Sequence, residues 1–240
     1  MKKFLTVALA GVLAASMLFT GCSKKAESKV PDKLIVGTNA EFPPFEYMND
    51  KKQPEGFDIA MIKEIGKRMG KKVEIKNMEF KSLIGAMESD SINAIIAGMT
   101  KTEKREKAVD FSDSYYTTNQ AIILKKDSKI TKLAQLDGKK IGVQEGTTGD
   151  LISSGDKFGD GKKAKVLVKG AKVKRFKKGV DAVMDLKNGS VDAVVIDELT
   201  ANEFVKKNAK KLKIVIDSAG SEYYCIALTK GNTAYKEEVN

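Results

Sequence analysis

Histidine is absent from the 240 residues, and that absence removes a large class of chemistry. Without imidazole there is no Ser-His-Asp triad, no histidine acid–base pair and no histidine metal centre. Cysteine is nearly absent as well, with only Cys22 and Cys225. Also missing is any aromatic stacking array among the basic residues. Lysine and arginine number 43 against 32 acidic residues, a formal charge of +11, so nucleic acid has to be considered as a partner. The lysines, however, are spread along the chain in pairs such as Lys71-Lys72 and Lys139-Lys140. They read as solvated faces suited to an anionic envelope surface, and no nucleic-acid partner is expected. What is present is ordinary for a soluble globular chain: 42% hydrophobic and 31% charged residues, enough for one large core or two modest ones.

The N-terminus stands apart. Lys2 and Lys3 precede an apolar run from Phe4 to Phe19, and small residues lead into Gly21 and Cys22. This is the pattern of a secretory signal over residues 1–21, not of a membrane-spanning helix. LFTGC followed by Ser23-Lys24-Lys25 resembles the lipobox of bacterial lipoproteins, with Phe19 where leucine is usual. The resemblance implies acylation of Cys22, with residues 22–31 as a polar tether to the outer face of the cell membrane, or to the periplasm where a second membrane exists. Cys225 is then left without a partner, and no disulfide is expected. Stability after export must therefore come from core packing. Removal of Lys2 and Lys3 leaves a mature charge of +9.

From Asp32 the apolar pattern alternates between strand and helix. Leu34–Gly37, Val73–Asn77 and Ile92–Ile96 read as strands, with helices over Ile59–Met69 and Lys81–Glu88. TNAEFPPFEY between the first strand and helix reads as an extended loop forced by Pro43 and Pro44. A second series follows: strands at Gln120–Leu124, Lys140–Val143, Val173–Phe176 and Val191–Ile196, with a helix over Val180–Leu186. SLIGAMESDSINAIIAG and DAVMDLKNGSVDAVVID match at a constant offset of 99 positions, placing Ile84 on Val183, Ile92 on Val191 and Gly98 on Asp197. Two similarly built, parallel α/β halves are expected. Leu212–Ile216, Tyr224–Leu228 and a helix from Thr233 carry the chain back to the first half. Residues 32–118 with 219–240 form one expected lobe and residues 119–218 the other. Two crossings, near Thr117–Gln120 and Asp217–Gly220, make a two-strand hinge that permits rigid-body closure.

The chemistry concentrates where strands end. After Ala97-Gly98, Thr100 and Arg105 follow within one loop-to-helix span, so that a guanidinium fork can grip a carboxylate beside a hydroxyl donor. Asp197 closes the apolar AVVI strand in the opposite half and can accept from an ammonium group or cap the helix after it. Thr147 and Thr148 lie behind Gly146 at a helix start, where backbone N–H groups favour an anion. Phe42 and Phe80 sit at loop or strand ends and can flank an aliphatic chain. Asn39 and Glu41 share the Phe42 loop and can read a ligand's polar end.

With these residues in hand, the sequence resembles the polar amino-acid binding lipoproteins of ABC importers. These include the glutamine-, histidine- and lysine/arginine/ornithine-binding proteins. GTNAEFPPFEY, GFDIAMIKEI, AGMTKTEKR with VDFSDSYY, LDGKKIGVQEGTTG and VDAVVIDE carry the likeness over most of Leu34–Leu228. It implies an α/β, two-lobed periplasmic-binding-protein fold of the second type, with no cofactor, metal or catalytic residue. The implied partners are one L-amino acid and a membrane permease, and the implied state is a monomer. Motif by motif, Arg105, Thr100 and Thr147 or Thr148 hold the α-carboxylate, and Asp197 and the Gly98 carbonyl the α-ammonium. Phe42 and Phe80 sandwich the side chain, while Asn39, Gln144 and Met99 complete the site. Asn39 replaces an aspartate found in several relatives; Glu41 is the candidate to restore that charge, which favours a basic ligand, with glutamine or another neutral polar one as runner-up. Two departures stand out: a longer, glycine-rich link at LISSGDKFGDGKKAKVLVKGAK, and an end at Asn240 where the family continues through a further helix. Cyclohexadienyl dehydratases resemble these binders too, and an enzyme of that kind is the rival; retention of the Asp197 ammonium acceptor favours binding. A surface adhesin is a third alternative.

Overall fold

The computed structural model describes residues 29–154, 168–216 and 221–240. The expected signal, Cys22, most of the tether, much of the glycine-rich link and the second crossing lie outside them. The first half contains β1 (Lys33–Thr38), β2 (Glu41–Phe42), β3 (Glu46–Met48), β4 (Pro54–Glu55), α1 (Phe57–Arg68), β5 (Lys72–Asn77), α2 (Leu83–Glu88), β6 (Ala94–Ile95), α3 (Glu103–Glu106) and β7 (Val109–Thr118). The second contains β8 (Gln120–Lys125), β9 (Lys140–Gln144), α4 (Thr148–Ser154), β10 (Lys172–Phe176), α5 (Gly179–Asn188), β11 (Ala193–Asp197), α6 (Glu198–Lys206) and β12 (Leu212–Ile216). β13 (Glu222–Thr229) and α7 (Thr233–Val239) return to the first sheet.

The two large sheets have the same plan. One runs β5-β1-β6-β13-β7 and the other β10-β9-β11-β8-β12, and in each the first three strands are parallel and the next two alternate. The halves are thus mixed sheets rather than the wholly parallel ones expected. The 99-residue correspondence survives in three dimensions, since α2 and β6 occupy in one sheet the places of α5 and β11 in the other. Both sheets are covered on two faces, so central strands bury successive residues. Ala121 and Ile123 face one core of the second lobe while Ile122 and Leu124 face the other.

Three local features depart from the sequence reading. The strand expected over Ile92–Ile96 pairs only at Ala94–Ile95, because the Asn93 side chain takes over the ladder, accepting from Ile35 N at 3.0 Å and donating to Lys33 O at 2.9 Å. VDFSDSYYTT, left unassigned, is the ten-residue strand β7, whose polar residues occupy an edge strand held by β13. The proline loop is a small antiparallel sheet, β2-β3-β4.

That small sheet buries a carboxyl pair against the first lobe. Glu46 and Asp58 are both fully buried. Asp58 Oδ2 accepts from Gly98 N and from the Tyr115 hydroxyl, each at 2.8 Å. Neither oxygen of Glu46 meets a donor among the described residues. Burial, then the charge of Asp58, hold the Glu46 carboxyl well above its ordinary value, so it is protonated and can donate to Asp58. A raised folded-state value stabilises the fold at low pH and loses that contribution as pH rises through it. Glu46→Gln keeps a donor and removes the titration. Its melting temperature relative to the parent should therefore be higher at about pH 8.5 than at about pH 6; an equal difference at both would mean that Glu46 is not held protonated.

Candidate functional site

Between the two sheets lies a narrow cavity, lined from the first lobe by Asn39, Phe42, Phe80, Ala97, Gly98, Thr100 and Arg105. Gln144, Thr147, Thr148 and Asp197 line it from the second. It sits at the carboxyl ends of β1, β6, β9 and β11, where open α/β sheets bind small molecules.

Arg105 reaches this cavity from α3, whose Thr102 hydroxyl caps the helix by accepting from Arg105 N at 3.2 Å. The guanidinium is buried and donates through Nη1 to Thr100 O at 2.6 Å and through Nη2 to Gly146 O at 3.1 Å, the second bond crossing between lobes. Its carbon lies 5.3 Å from the Phe80 ring centroid, within cation–π range. Burial lowers its pKa to about 10 against the opposing pull of Glu222 and Asp197, so it remains charged at neutral pH. Two of its five N–H groups are engaged, and the rest are free among the described residues to meet an anion.

Asp197 occupies the N-cap position of α6 but makes no capping bond with its side chain. Its carboxylate accepts from Gln120 Nε2 at 2.7 Å and from the Tyr224 hydroxyl. Burial, then the charge of Glu222, raise its pKa to about 7. Glu222 itself was not marked by the sequence reading. It shares a face of β13 with Tyr224 two residues on, and its Oε2 accepts from the hydroxyls of Thr100 and Thr148, both at 2.7 Å. One buried oxygen thus gathers a hydroxyl from each lobe. Gln120 Nε2 also donates to Thr148 Oγ1 at 3.1 Å, linking Asp197 to the same network. The i, i+2 spacing of Glu222 and Tyr224 on an otherwise apolar strand was the available signal.

Ten of the twelve expected ligand-contacting residues line the cavity, and two do not. Glu41 precedes Phe42 on β2, and successive strand residues point opposite ways, so with Phe42 facing the cavity Glu41 turns to the lip. There it accepts from Lys178 Nζ at 2.6 Å instead of facing the interior. Met99 alternates in the same way between Gly98 and Thr100 and packs its side chain into the first lobe's core. Gly98 stays open to the cavity with φ +51°, where an added Cβ would stand 3.2 Å from the Phe42 ring. Gln144 Nε2 donates to Asn39 Oδ1 at 2.7 Å, tying the lobes together, and Asn39 donates to Met78 O at 2.8 Å. Thr147 spends its hydroxyl on Gln144 O at 2.8 Å, and its N–H points to the same carbonyl at 3.4 Å.

This geometry defines a two-lobed binding protein closed on a small charged cavity, with a fixed cation and the Asp197 carboxylate in its wall and Glu222 hydrogen-bonded behind Thr100 and Thr148. Residues 34–240 match the bacterial extracellular solute-binding proteins of family 3, and the chain belongs to that family. Over 224 residues it is 35% identical to the arginine-binding extracellular protein ArtP of Bacillus subtilis, covering 92% of this chain and 83% of that one. The arginine-bound, truncated ArgBP of T. maritima superposes with a TM-score of 0.76 at 40% identity, covering 87% of this chain and 93% of the other. An ancestral arginine-binding protein bound to arginine gives a TM-score of 0.78 at 42% identity, covering 88% and 91%. The fold is that of type II periplasmic binding proteins, as the sequence led one to expect.

Among the described residues three ion pairs bridge the lip: Lys178 with Glu41 at 2.6 Å, Lys177 with Glu79 at 2.6 Å and Lys81 with Glu145 at 2.9 Å. Each is part-exposed and individually weak, but all three exist only while the lobes are together. Replacing Lys81, Lys177 and Lys178 by glutamine should populate a more open particle, seen as a larger radius of gyration by small-angle scattering. An unchanged radius at low salt would show that the lip does not hold the lobes together.

Proposed function

We propose that this protein captures a basic L-amino acid, arginine foremost, outside the cytoplasm and delivers it to the permease of an ABC importer. The observation that carries the reading is that Arg105 and Asp197 face one cavity from opposite sheets, at the two charged ends an α-amino acid presents. Arg105 holds the carboxylate with its free N–H groups, aided by backbone donors at Thr100 and Thr148. Asp197 and the Gly98 carbonyl receive the ammonium. Phe42 and Phe80 flank the aliphatic stem, and Asn39 and Gln144 meet the distal group with amide oxygens. The preference for a basic ligand rests on the excess of carboxylate around the cavity and on the arginine-binding relatives, not on direct contact by Glu41. Residues 32–118 with 219–240 move as one lobe and residues 119–218 as the other. Signal cleavage before Cys22 and acylation there tether a monomeric receptor to the membrane. No bond of the ligand is made or broken.

Calorimetric titration with the amino acids tests this. Arginine should bind most tightly, ahead of glutamine, with aliphatic amino acids weak or silent. Arg105→Ala should cost roughly 2–5 kcal/mol, the range for removing one partner of a buried charge pair, or about thirty- to several-thousand-fold in affinity. Asp197→Asn should weaken binding in the same direction. Parent-like affinity in both variants would refute the site, an aliphatic preference would refute the ligand class, and turnover of arogenate or prephenate would favour the enzyme reading.

A further inference from the structure

The buried groups in and behind the cavity wall carry an imbalance of charge. Among the described residues Arg105 is the one cation lining the cavity; Asp197 lines it too, and Glu222 lies behind Thr100 and Thr148, from whose hydroxyls it accepts. All three are buried. Asp197 and Glu222 are joined through hydrogen bonds: Gln120 Nε2 donates to Asp197 Oδ1 at 2.7 Å and to Thr148 Oγ1 at 3.1 Å, and Thr148 Oγ1 donates to Glu222 Oε2 at 2.7 Å. With both carboxylates ionised these buried groups would hold one net negative charge, Lys101, Glu103, Glu106 and Asp113 lying with Glu222 along the groove on its outer side, an arrangement that favours uptake of a proton.

We propose that Asp197 and Glu222 hold one proton between them while the cavity is empty and release it to solvent when a net-cationic amino acid enters. The inference rests on the amino-acid reading above and deepens it. A zwitterionic head group adds an ammonium beside Asp197 and a carboxylate beside Arg105, which leaves the imbalance in place. A ligand with a further cation on its side chain cancels it, and the carboxylic acid then ionises: one O–H bond breaks, the electron pair stays on the carboxylate and the proton leaves for bulk water. A cationic ligand and a proton therefore compete for the same excess charge, which makes Glu222 a residue that selects ligands by net charge.

Other titratable groups surround the pair. Tyr224 from β13 donates to Asp197, and its burial holds it well above its ordinary value, so it remains a neutral donor. Glu46 from β3, held protonated by burial and by Asp58 of α1 behind it, adds no charge of its own, and the charge of Asp197 is one of the causes that keep it so. Tyr115 of β7 lies between Asp58 and Tyr224 and is likewise held neutral. Thr100, Thr148 and Gln120 supply uncharged donors. Burial raises the values of both Asp197 and Glu222, while the hydrogen bonds each receives and the charge of Arg105 pull the other way.

The test is titration of arginine into the full protein in two buffers of small and large ionisation heat, phosphate and Tris, and over a range of pH. The expected result is release of about half a proton per arginine near pH 7, with affinity rising about tenfold from pH 6 to pH 8. Glu222→Gln, which keeps an oxygen for the two threonine hydroxyls, should bind arginine with little proton release and a flat pH dependence. Glutamine as ligand should release less than arginine in the parent. Binding heats equal in both buffers, with affinity flat in pH, overturn the proposal while leaving the amino-acid reading intact. Undiminished proton release in Glu222→Gln overturns it as well. No heat with arginine in either buffer overturns the amino-acid reading and this inference together.

Discussion

A guanidinium taken out of water is the constraint around which this molecule is built. Arg105 is buried, and an isolated charge there would be very costly. Its position is sustained from several directions: the carbonyls of Thr100 and Gly146, the Phe80 ring, and the fields of Asp197 and Glu222. The Thr100 carbonyl, Phe80 and Glu222, the last on the strand that returns to the first sheet, belong to the same lobe as Arg105. The Gly146 carbonyl and Asp197 come from the other lobe. The cation is thus best satisfied when the lobes are together, which links the electrostatics of one side chain to the conformation of the whole chain.

The repeated sheet plan explains how the opposing charge arrives. β6 and β11 hold equivalent places, and each leads to the cavity, β6 through Ile96 and Ala97 to Gly98 and β11 ending in Asp197. At one position the absence of a side chain exposes a backbone carbonyl and lets Phe42 and Tyr224 approach. At its counterpart a carboxylate projects into the gap. Two copies of one supersecondary unit therefore supply unlike chemistry to a shared space, and the asymmetry of the ligand head group follows from that of two residues.

Much of this was legible in the chain. Alternating strand and helix patterns, the 99-residue correspondence and the Gly98–Thr100–Arg105 span located the cleft and most of its wall, because these signals are local in sequence. The errors came from interactions that are not local. Glu41 was assigned to the interior because it neighbours Phe42, but strand alternation and Lys178 across the lip draw it outward. Met99 fell to the same alternation. Glu222 was overlooked because its partners, Thr100 and Thr148, lie 122 and 74 residues away. The carboxyl pair Glu46–Asp58 was hidden for a similar reason: its two members sit on different elements and acquire meaning only when the small sheet folds onto α1. The strand β7 escaped notice because an edge strand tolerates polar residues that a central one would not.

One feature of the backbone bears on how the cleft would swing. β7 belongs to one sheet and β8 to the other, and Asn119 alone separates them. Its carbonyl accepts from Glu198 N at 2.9 Å and its side-chain amide donates to Glu198 Oε2 at 3.3 Å, fastening that single residue to the first turn of α6. On this side, then, the pivot is one residue wide and welded to the helix that starts at Asp197. A small torsional change at Asn119 would turn the second lobe about this point, swinging the far end of α6 widely while Asp197, paired with Gln120 beside the pivot, moves least.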